Sequence, residues 1–317
     1  MAISSGESQR MIGARLARGF ALLLMLGWTM AGAVDASAQA IIAPGGRTLF
    51  NRATQVRSFV EINHTSVSEG GNSVDVTQYA VPLAFAYGVY PKWTVILAQP
   101  YVASTMTSRT GDQTTRQTAN GLADMQLFVQ YDGFYSRNTP GGLTRLSGLF
   151  GLRPPTGARR FSTRAAGYVS GLIFEKAAGL KYVLTSDFQY TFATENPQGV
   201  AIGDRAQFDF VPAYFLISRD SPGSGTSSRP NFFKRLFENG AYLILEFNGS
   251  WQGRTRSQGV EIASTGGTTI SISPGIQYFP SRSFLIEFSS PIAAIKALNG
   301  DQPEPGSRFL VGFRYLF

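Results

Sequence analysis

The sequence predicts an all-β fold: a transmembrane, antiparallel, up-and-down β-barrel of about twelve strands. The first observation is the segment 308–317, where large apolar side chains alternate with small or polar ones. Successive side chains of a strand point to opposite sides, so one face of this segment is apolar throughout. That face carries Phe309, Val311, Phe313, Tyr315 and Phe317. Similar alternating runs recur along the chain, each about as long as a tilted strand that crosses a bilayer.

The second observation is the N-terminus, which has the three parts of an export signal. Three arginines precede an apolar run at 20–30, and Ala38-Gln-Ala40 forms a small-x-small cleavage site. The run is shorter than a membrane helix, so we expect residues 1–40 to be a cleaved signal peptide. Residues 41–54 are then an N-terminal extension that could enter the barrel as a plug. Residues 55–317 form the barrel.

Composition agrees with this class and argues against others. After residue 40, no apolar stretch approaches the ~20 residues of a membrane helix, but lumen-facing polar residues dilute every window of a barrel strand. The chain has no cysteine, so its stability must come from ladder closure and membrane burial. Lysine and arginine number 28 against 20 acidic residues. These positive charges are scattered, so lipid headgroups are expected partners and nucleic acid is not.

Twelve strands follow from the alternation and from the Gly, Asn, Ser and Thr clusters between the runs. The predicted strands are 55–66, 74–90, 93–105, 121–135, 144–155, 166–176, 180–192, 204–218, 240–252, 268–279, 283–292 and 308–317. With both termini periplasmic, the connections at 91–92, 177–179 and 280–282 are short, as periplasmic turns are in this class. The connection 219–239 is the exception. It begins as a flexible stretch and ends in a predicted short amphipathic helix at 231–238.

Prolines are unusually frequent inside the predicted strands. They are Pro82, Pro100, Pro154, Pro155, Pro212, Pro274 and Pro291. Because proline has no N–H to give to a ladder, we expect bulges or kinks at these positions. Aligned kinks would leave gaps in the wall and a lateral exit into the bilayer, whereas a continuous ladder across Pro100, Pro212 and Pro274 would argue against such an exit.

Strand parity assigns a set of ionisable side chains to the barrel interior. They are Arg57, Glu61, Asp124, Asp187, Asp209, Glu246, Glu287, Arg308 and Arg314. Such groups avoid hydrocarbon, where an arginine at the midplane costs about 2–4 kcal/mol. They form either a polar pathway for solute or a cross-linked interior, and a barrel of this size allows both.

Four short motifs resemble, in their order, the outer-membrane family named for the MetA-pathway of phenol degradation, whose members are described as transporters. They are Gly121-Leu-Ala-Asp124, Gly151-Leu-Arg-Pro-Pro-Thr-Gly157, Ser273-Pro-Gly-Ile-Gln-Tyr278 and Val311-Gly-Phe-Arg-Tyr-Leu-Phe317. Ala123 stands where the family has a second glycine. The resemblance covers nearly the whole mature chain. It implies a Gram-negative outer-membrane β-barrel linked to the uptake of aromatic or other hydrophobic compounds.

The expected function is a passive channel or transporter for small hydrophobic or aromatic solutes, without a cofactor. The alternative is a non-conducting barrel with a structural or surface-interaction role. An enzyme is not expected: His64 and Ser66 share a strand face, as in outer-membrane phospholipases, but the flanking signature of that class is missing. With one histidine and no cysteine, the sequence also predicts no metal site.

The closing strand carries a further expectation. A terminal Phe317 with aromatic residues two and four positions earlier, Tyr315 and Phe313, resembles the signal that the outer-membrane barrel assembly machinery recognises. That machinery is therefore an expected partner.

Overall fold

The fold is described by a computed structural model. It describes residues 41–45, 47–69, 72–110, 113–137, 142–179, 181–216, 240–300, 302 and 304–317. The predicted signal peptide, 1–40, lies outside these residues. The predicted long connection 219–239 and its helix at 231–238 do as well.

The described residues form seventeen strand segments. They are β1 (Thr54–Glu69), β2 (Asn72–Tyr90), β3 (Trp93–Thr110), β4 (Gln113–Leu122), β5 (Gln126–Ser136), β6 (Leu143–Arg153), β7 (Gly167–Ala178), β8 (Tyr182–Ala193), β9 (Val200–Ala201), β10 (Arg205–Phe215), β11 (Ala241–Gln252), β12 (Arg256–Ser257), β13 (Val260–Glu261), β14 (Gly267–Tyr278), β15 (Phe284–Ser289), β16 (Ile292–Leu298) and β17 (Arg308–Leu316). No helix within the described ranges has the length and apolarity that a membrane crossing requires.

The strands close into one antiparallel barrel. Each wall strand pairs with its neighbour in sequence, β1 pairs with β17, and the pairing of β11 with β14 completes the ring. Two wall strands are each divided into two segments. β4 and β5 both pair with β3, and β15 and β16 both pair with β14, so each pair of segments counts as one wall strand. The segments β9, β12 and β13 form a separate small sheet. The wall therefore has twelve strands, and the predicted fold class is confirmed.

Alternation in the sequence sorts side chains between lumen and lipid. In β8, Val183, Thr185 and Asp187 are buried inside. On the opposite face of the same strand, Phe188 is 51% exposed and Phe192 is 53% exposed. Rows of large exposed apolar side chains suit a hydrocarbon environment, as the outward-facing apolar band of a membrane barrel requires.

Aromatic side chains cluster at the end of the barrel that carries the short turns. Rings pair between neighbouring strands there, with centroids 4.5 Å apart for Trp93 and Tyr131 and 5.1 Å apart for Tyr182 and Tyr214. At the closing strand, the ring centroids of Tyr315 and Phe317 lie 4.6 Å apart. This belt is the aromatic girdle expected at one membrane interface.

The first four strand segments rise beyond the rest of the barrel rim. β1 pairs with β17 only as far as Asn63, although it continues to Glu69, and β4 pairs with β3 alone. The prediction that residues 106–120 form a loop is wrong, because most of them lie in β3 and β4. Residues 113–120 are polar and mostly exposed on both faces, so they lack the alternation from which a strand is recognised.

The strand prolines lie beside breaks in neighbouring strands rather than at bulges. Pro100 pairs with Pro82 on β2 but faces the gap 123–125 between β4 and β5. Pro274 pairs with Leu245 but faces the gap between β15 and β16. Pro212 pairs with Leu184, while its other side lies in a short interruption of the β10–β11 ladder. Pro100, Pro212 and Pro274 thus each keep a continuous ladder on one side only, whereas Pro154, Pro155 and Pro291 lie outside the strands in which they were predicted.

Candidate functional site: the barrel lumen

Residues 41–53 run through the lumen, where they contact strands from all around the wall. The backbone N–H of Ile42 donates to Glu246 Oε2 at 3.0 Å, and the N–H of Ile41 donates to the same carboxylate. Farther along, Arg47 Nε lies 2.7 Å from Glu175 Oε1. These partners lie on β11 and β7, so the segment crosses the interior rather than following one strand.

Two further hydrogen bonds hold the segment. Gln130 Nε2 on β5 donates to the Gly45 carbonyl at 3.1 Å. The Leu49 N–H donates to Thr94 Oγ1 on β3 at 2.7 Å. Each lumen strand involved contributes a polar side chain to the backbone of the segment, as the polar groups of a buried loop require.

Apolar packing fixes the segment at both ends. Ile41 and Ala43 are each 1% exposed and pack against a cluster that includes Val183, Val211 and Ile244. Near the other end, Leu49 and Ala53 pack with Ala86 and Leu316.

Gly88 allows the backbone of the N-terminal segment to approach β2 closely. A Cβ at this position would lie 2.1 Å from the Phe50 carbonyl oxygen. Glycine is therefore required where the segment passes β2.

Glu287 takes part in two buried ion pairs. Its carboxylate, 1% exposed, lies 2.9 Å from Arg57 Nε and 3.2 Å from Arg314 Nη2. Gln277 Nε2 donates to the same carboxylate at 3.0 Å. Arg57 also donates to the Ile41 carbonyl, so this cluster joins the wall to the N-terminal segment.

A second polar chain crosses three neighbouring strands. Gln189 donates to Asp187 at 3.1 Å on β8, and Asp209 lies directly opposite Asp187 on β10. Asn248 Nδ2 donates to Asp209 at 2.7 Å and to Glu246 at 3.3 Å. The predicted interior residues Asp187, Asp209 and Glu246 therefore belong to one network that ends at the N-terminal segment.

The remaining predicted interior residues occupy two places. Arg308 Nη2 lies 2.6 Å from Glu61 Oε1, nearer the end of the barrel opposite the short turns. Asp124 lies in the gap between β4 and β5, where it accepts hydrogen bonds from the Gly157 N–H and the Thr163 N–H, both at 2.9 Å. Asp124 therefore anchors the segment 154–166 and brings together two of the motifs that carry the family resemblance.

The anchored segment takes the place of a missing wall partner. Ala158 N–H donates to the Leu122 carbonyl at 2.7 Å, and Met125 N–H donates to Thr156 Oγ1 at 2.9 Å. A lateral exit beside Pro100 would require this segment to move. The break in the wall at 123–125 is thus covered.

Among the described residues, the lumen contains a cavity of about 450 Å³ that lies against the N-terminal segment and the small side chains of β2 and β3. A second, smaller cavity of about 300 Å³ lies beneath the segment 154–166, towards the end of the barrel opposite the short turns. Pro100, Gln126 and Arg153 line both cavities, so these side chains lie at their shared border.

Solved structures similar to this chain include outer-membrane barrels. The COG4313 outer membrane channel from Pseudomonas putida F1 aligns with a TM-score of 0.62 at 14% identity, over 87% of this chain and all of that one. The translocator domain of the autotransporter NalP from Neisseria meningitidis aligns over 98% of each chain, with a TM-score of 0.39 and 12% identity. The fold is that of an outer-membrane β-barrel. No protein-family model and no curated protein matches the sequence.

Sequence reasoning missed several charged groups of this lumen. Glu175 is fully buried, and Arg145 Nε lies 3.1 Å from Asp132 Oδ2. Arg153 and Arg205 line the smaller cavity. Strand parity could have indicated Arg153, because it lies on the same face of β6 as the buried Leu149. Parity is a weak signal there, however, since Arg153 is the last residue of that strand.

The remaining predicted positions lie outside the lumen. Phe313, Tyr315 and Phe317 are on the outer face of β17, where the rings of Phe313 and Tyr315 both contact Phe284. His64 Nδ1 lies 3.2 Å from Thr77 Oγ1, its directly opposite neighbour on β2. A neutral hydroxyl does not orient a catalytic base as a carboxylate does. Within the described ranges, no cluster of acidic, histidine or cysteine side chains could hold a metal ion.

Proposed function

We propose that the protein is a channel of the Gram-negative outer membrane that passes small solutes with an apolar body. The observation that carries this proposal is the pair of neighbouring cavities, with shared lining residues, inside a closed, lipid-facing barrel. A volume of about 450 Å³ falls in the ~300–1,000 Å³ range of small-molecule sites. Such a barrel interior can hold or pass a compact solute without opening the wall.

The lining of the larger cavity supports a hydrophobic or aromatic solute. Phe59, Ile96, Phe128 and Leu149 give it apolar surface, while glutamines from β5, β8 and β10 supply hydrogen-bonding groups. The resemblance to the phenol-degradation family points in the same direction. The likeness in fold to a bacterial outer membrane channel agrees with transport.

Location and partners follow from the same proposal. The leader at 1–40 would direct export, the exposed apolar rows would contact outer-membrane lipids, and the row ending in Phe317 would be read by the barrel assembly machinery. Nothing in this scheme requires a cofactor or energy input, because solute moves down its gradient.

A second candidate, a non-conducting barrel with a structural role, is favoured by the N-terminal segment. Residues 41–53 cross the lumen and are held by Glu175 and Glu246. If this segment stays in place and its surroundings exclude water, the barrel is closed. The two candidates therefore differ in whether solute can pass beside the segment.

Osmotic swelling of proteoliposomes separates the two candidates. We expect liposomes that contain the refolded mature protein to swell in arabinose faster than protein-free liposomes, because a passive channel admits a small neutral sugar. A large oligosaccharide, excluded by the narrow lumen, is the matched control. Arabinose swelling no faster than in empty liposomes would support the structural role.

A further inference from the structure

Two arginines near the extracellular end differ from the other charged groups that line the cavities. Arg47, Arg57 and Glu61 each lie within an ion pair. In the part of the chain that the structure describes, the Arg153 side chain makes no hydrogen bond or ion pair, and its Nε is buried. Among the described residues, the side chain of Arg205 donates only to Ser250 Oγ, at 3.1 Å.

The two arginines face the same space. Arg153 ends β6 and Arg205 begins β10, with β7 and β8 between them. A Cβ on Gly167 of β7 would lie 3.6 Å from the Arg153 Cβ and 3.7 Å from the Thr191 methyl group. The Arg153 and Thr191 side chains therefore both lie beside Gly167, and Arg153 and Arg205 line the same cavity.

A third polar group in this place also lacks a partner. Thr191 pairs directly with Arg205 in the ladder and lines the smaller cavity. Its Oγ1 is buried and makes no hydrogen bond to any described residue. A buried arginine Nε and a buried threonine hydroxyl, both with unmet hydrogen-bonding capacity, therefore line the same cavity as a second guanidinium group.

The nearby carboxylates are engaged elsewhere. Asp124 lines the same cavity but accepts from the backbone of 157 and 163. Asp204, next to Arg205 in sequence, accepts from the Ala193 N–H at 3.0 Å and from the Tyr190 hydroxyl at 2.8 Å. Asp209 accepts from Asn248 at 2.7 Å. None of them forms an ion pair with Arg153 or Arg205 in the described structure.

A cationic pair of this kind is costly to bury unless an anion joins it. Guanidinium groups match the planar geometry of a carboxylate, and hydrogen bonds between charged partners are stronger than neutral ones. Ionisable groups at membrane depth that face a cavity mark solute pathways. The position of Arg153, at the junction of the two cavities, places this charge on the path between them.

We propose that Arg153, Arg205 and Thr191 form an anion site in the lumen, and that the solute is a small organic carboxylate. This inference rests on the proposed channel function. The carboxylate binds between the guanidinium groups and accepts from Thr191, while the apolar body lies against Phe128 and Leu149 of the larger cavity. Inorganic anions share the charge chemistry but not the apolar contact.

The reversal potential across a potassium chloride gradient tests the charge. We expect the wild type to prefer chloride and the double variant Arg153→Gln/Arg205→Gln to lose most of that preference. Arg109→Gln/Arg116→Gln is the matched control, because Arg109 on β3 and Arg116 on β4 are exposed and their loss removes two positive charges, as the double variant does. A wild type without anion preference, or a double variant with unchanged preference, would overturn the proposal.

Benzoate and benzyl alcohol distinguish an organic carboxylate from a simple anion. We expect benzoate, titrated calorimetrically into folded protein in detergent, to bind about tenfold or more weakly to the double variant than to the wild type. Benzyl alcohol has the same ring without the charge and should bind weakly to both. Equal binding of both compounds, or benzoate binding insensitive to the double substitution, would refute the site.

The two readouts separate this inference from the function on which it rests. A folded protein that binds benzoate through Arg153 and Arg205 but never conducts would contradict the channel and retain the site. A conducting protein whose selectivity ignores both arginines would retain the channel and remove the site. Unchanged heat-modifiable mobility on gels shows that each variant is folded.

Discussion

Replacing Glu287 with alanine is expected to lower the free energy of unfolding by about 3–5 kcal/mol, the usual cost of breaking a buried ion pair. The carboxylate is 1% exposed and contacts both Arg57 and Arg314. Without this carboxylate, the guanidinium groups of Arg57 and Arg314 would lose their attraction to it and would repel each other in the interior. Urea unfolding of the protein in phospholipid vesicles, followed by tryptophan fluorescence, measures the change.

Glu304→Ala is the control for this substitution. Glu304 lies 3.0 Å from Lys296, but its side chain is 66% exposed. An exposed pair contributes only about 0–1 kcal/mol, because water screens it. Equal losses of stability in the two variants would show that the Glu287 cluster is not a buried electrostatic centre.

Deleting residues 41–49 is expected to raise the unitary conductance several-fold. This segment crosses the lumen and narrows the path beside the larger cavity, while the wall closes without it through the β1–β17 and β11–β14 ladders. Planar-bilayer recording of the deletion variant beside the wild type measures the difference. Equal conductance would mean that the segment does not limit the pore.

Two point substitutions refine this experiment. Glu246→Ala removes the acceptor of the Ile41 and Ile42 N–H groups, so openings to the larger conductance should become frequent. Asp187→Ala removes a carboxyl group from the same network, but its hydrogen bond with Gln189 does not involve the segment. It should therefore leave such openings rare. Identical behaviour of the two variants would assign the openings to the loss of a lumen carboxyl group rather than to release of the segment.

The wall could be predicted from the sequence because lipid imposes a simple rule on it. Every strand that faces hydrocarbon must show apolar side chains on one face, so alternation marked β8, β11 and β17 directly. The short turns at 91–92 and 280–282 then fixed the direction of each strand. The extension of β4 above the rim escapes this rule, since both of its faces are polar.

The interior was less predictable because parity gives a direction but no partner. It placed Glu246 and Glu287 inside, yet it could not show that Glu246 binds the backbone of Ile42 across about two hundred residues of chain. Asp124 was assigned by parity to a strand that is broken there. That Arg153 and Arg205 line one cavity becomes visible only when the fold places β6 and β10 around it.

Planar-bilayer recording of the purified, refolded mature chain in plain salt tests the central claim most directly. The two neighbouring cavities, one of them lined by the N-terminal segment, predict small, stable unitary current steps. Sustained silence from protein whose folded state is shown by heat-modifiable mobility would contradict the channel, and it would leave a closed barrel with a structural role.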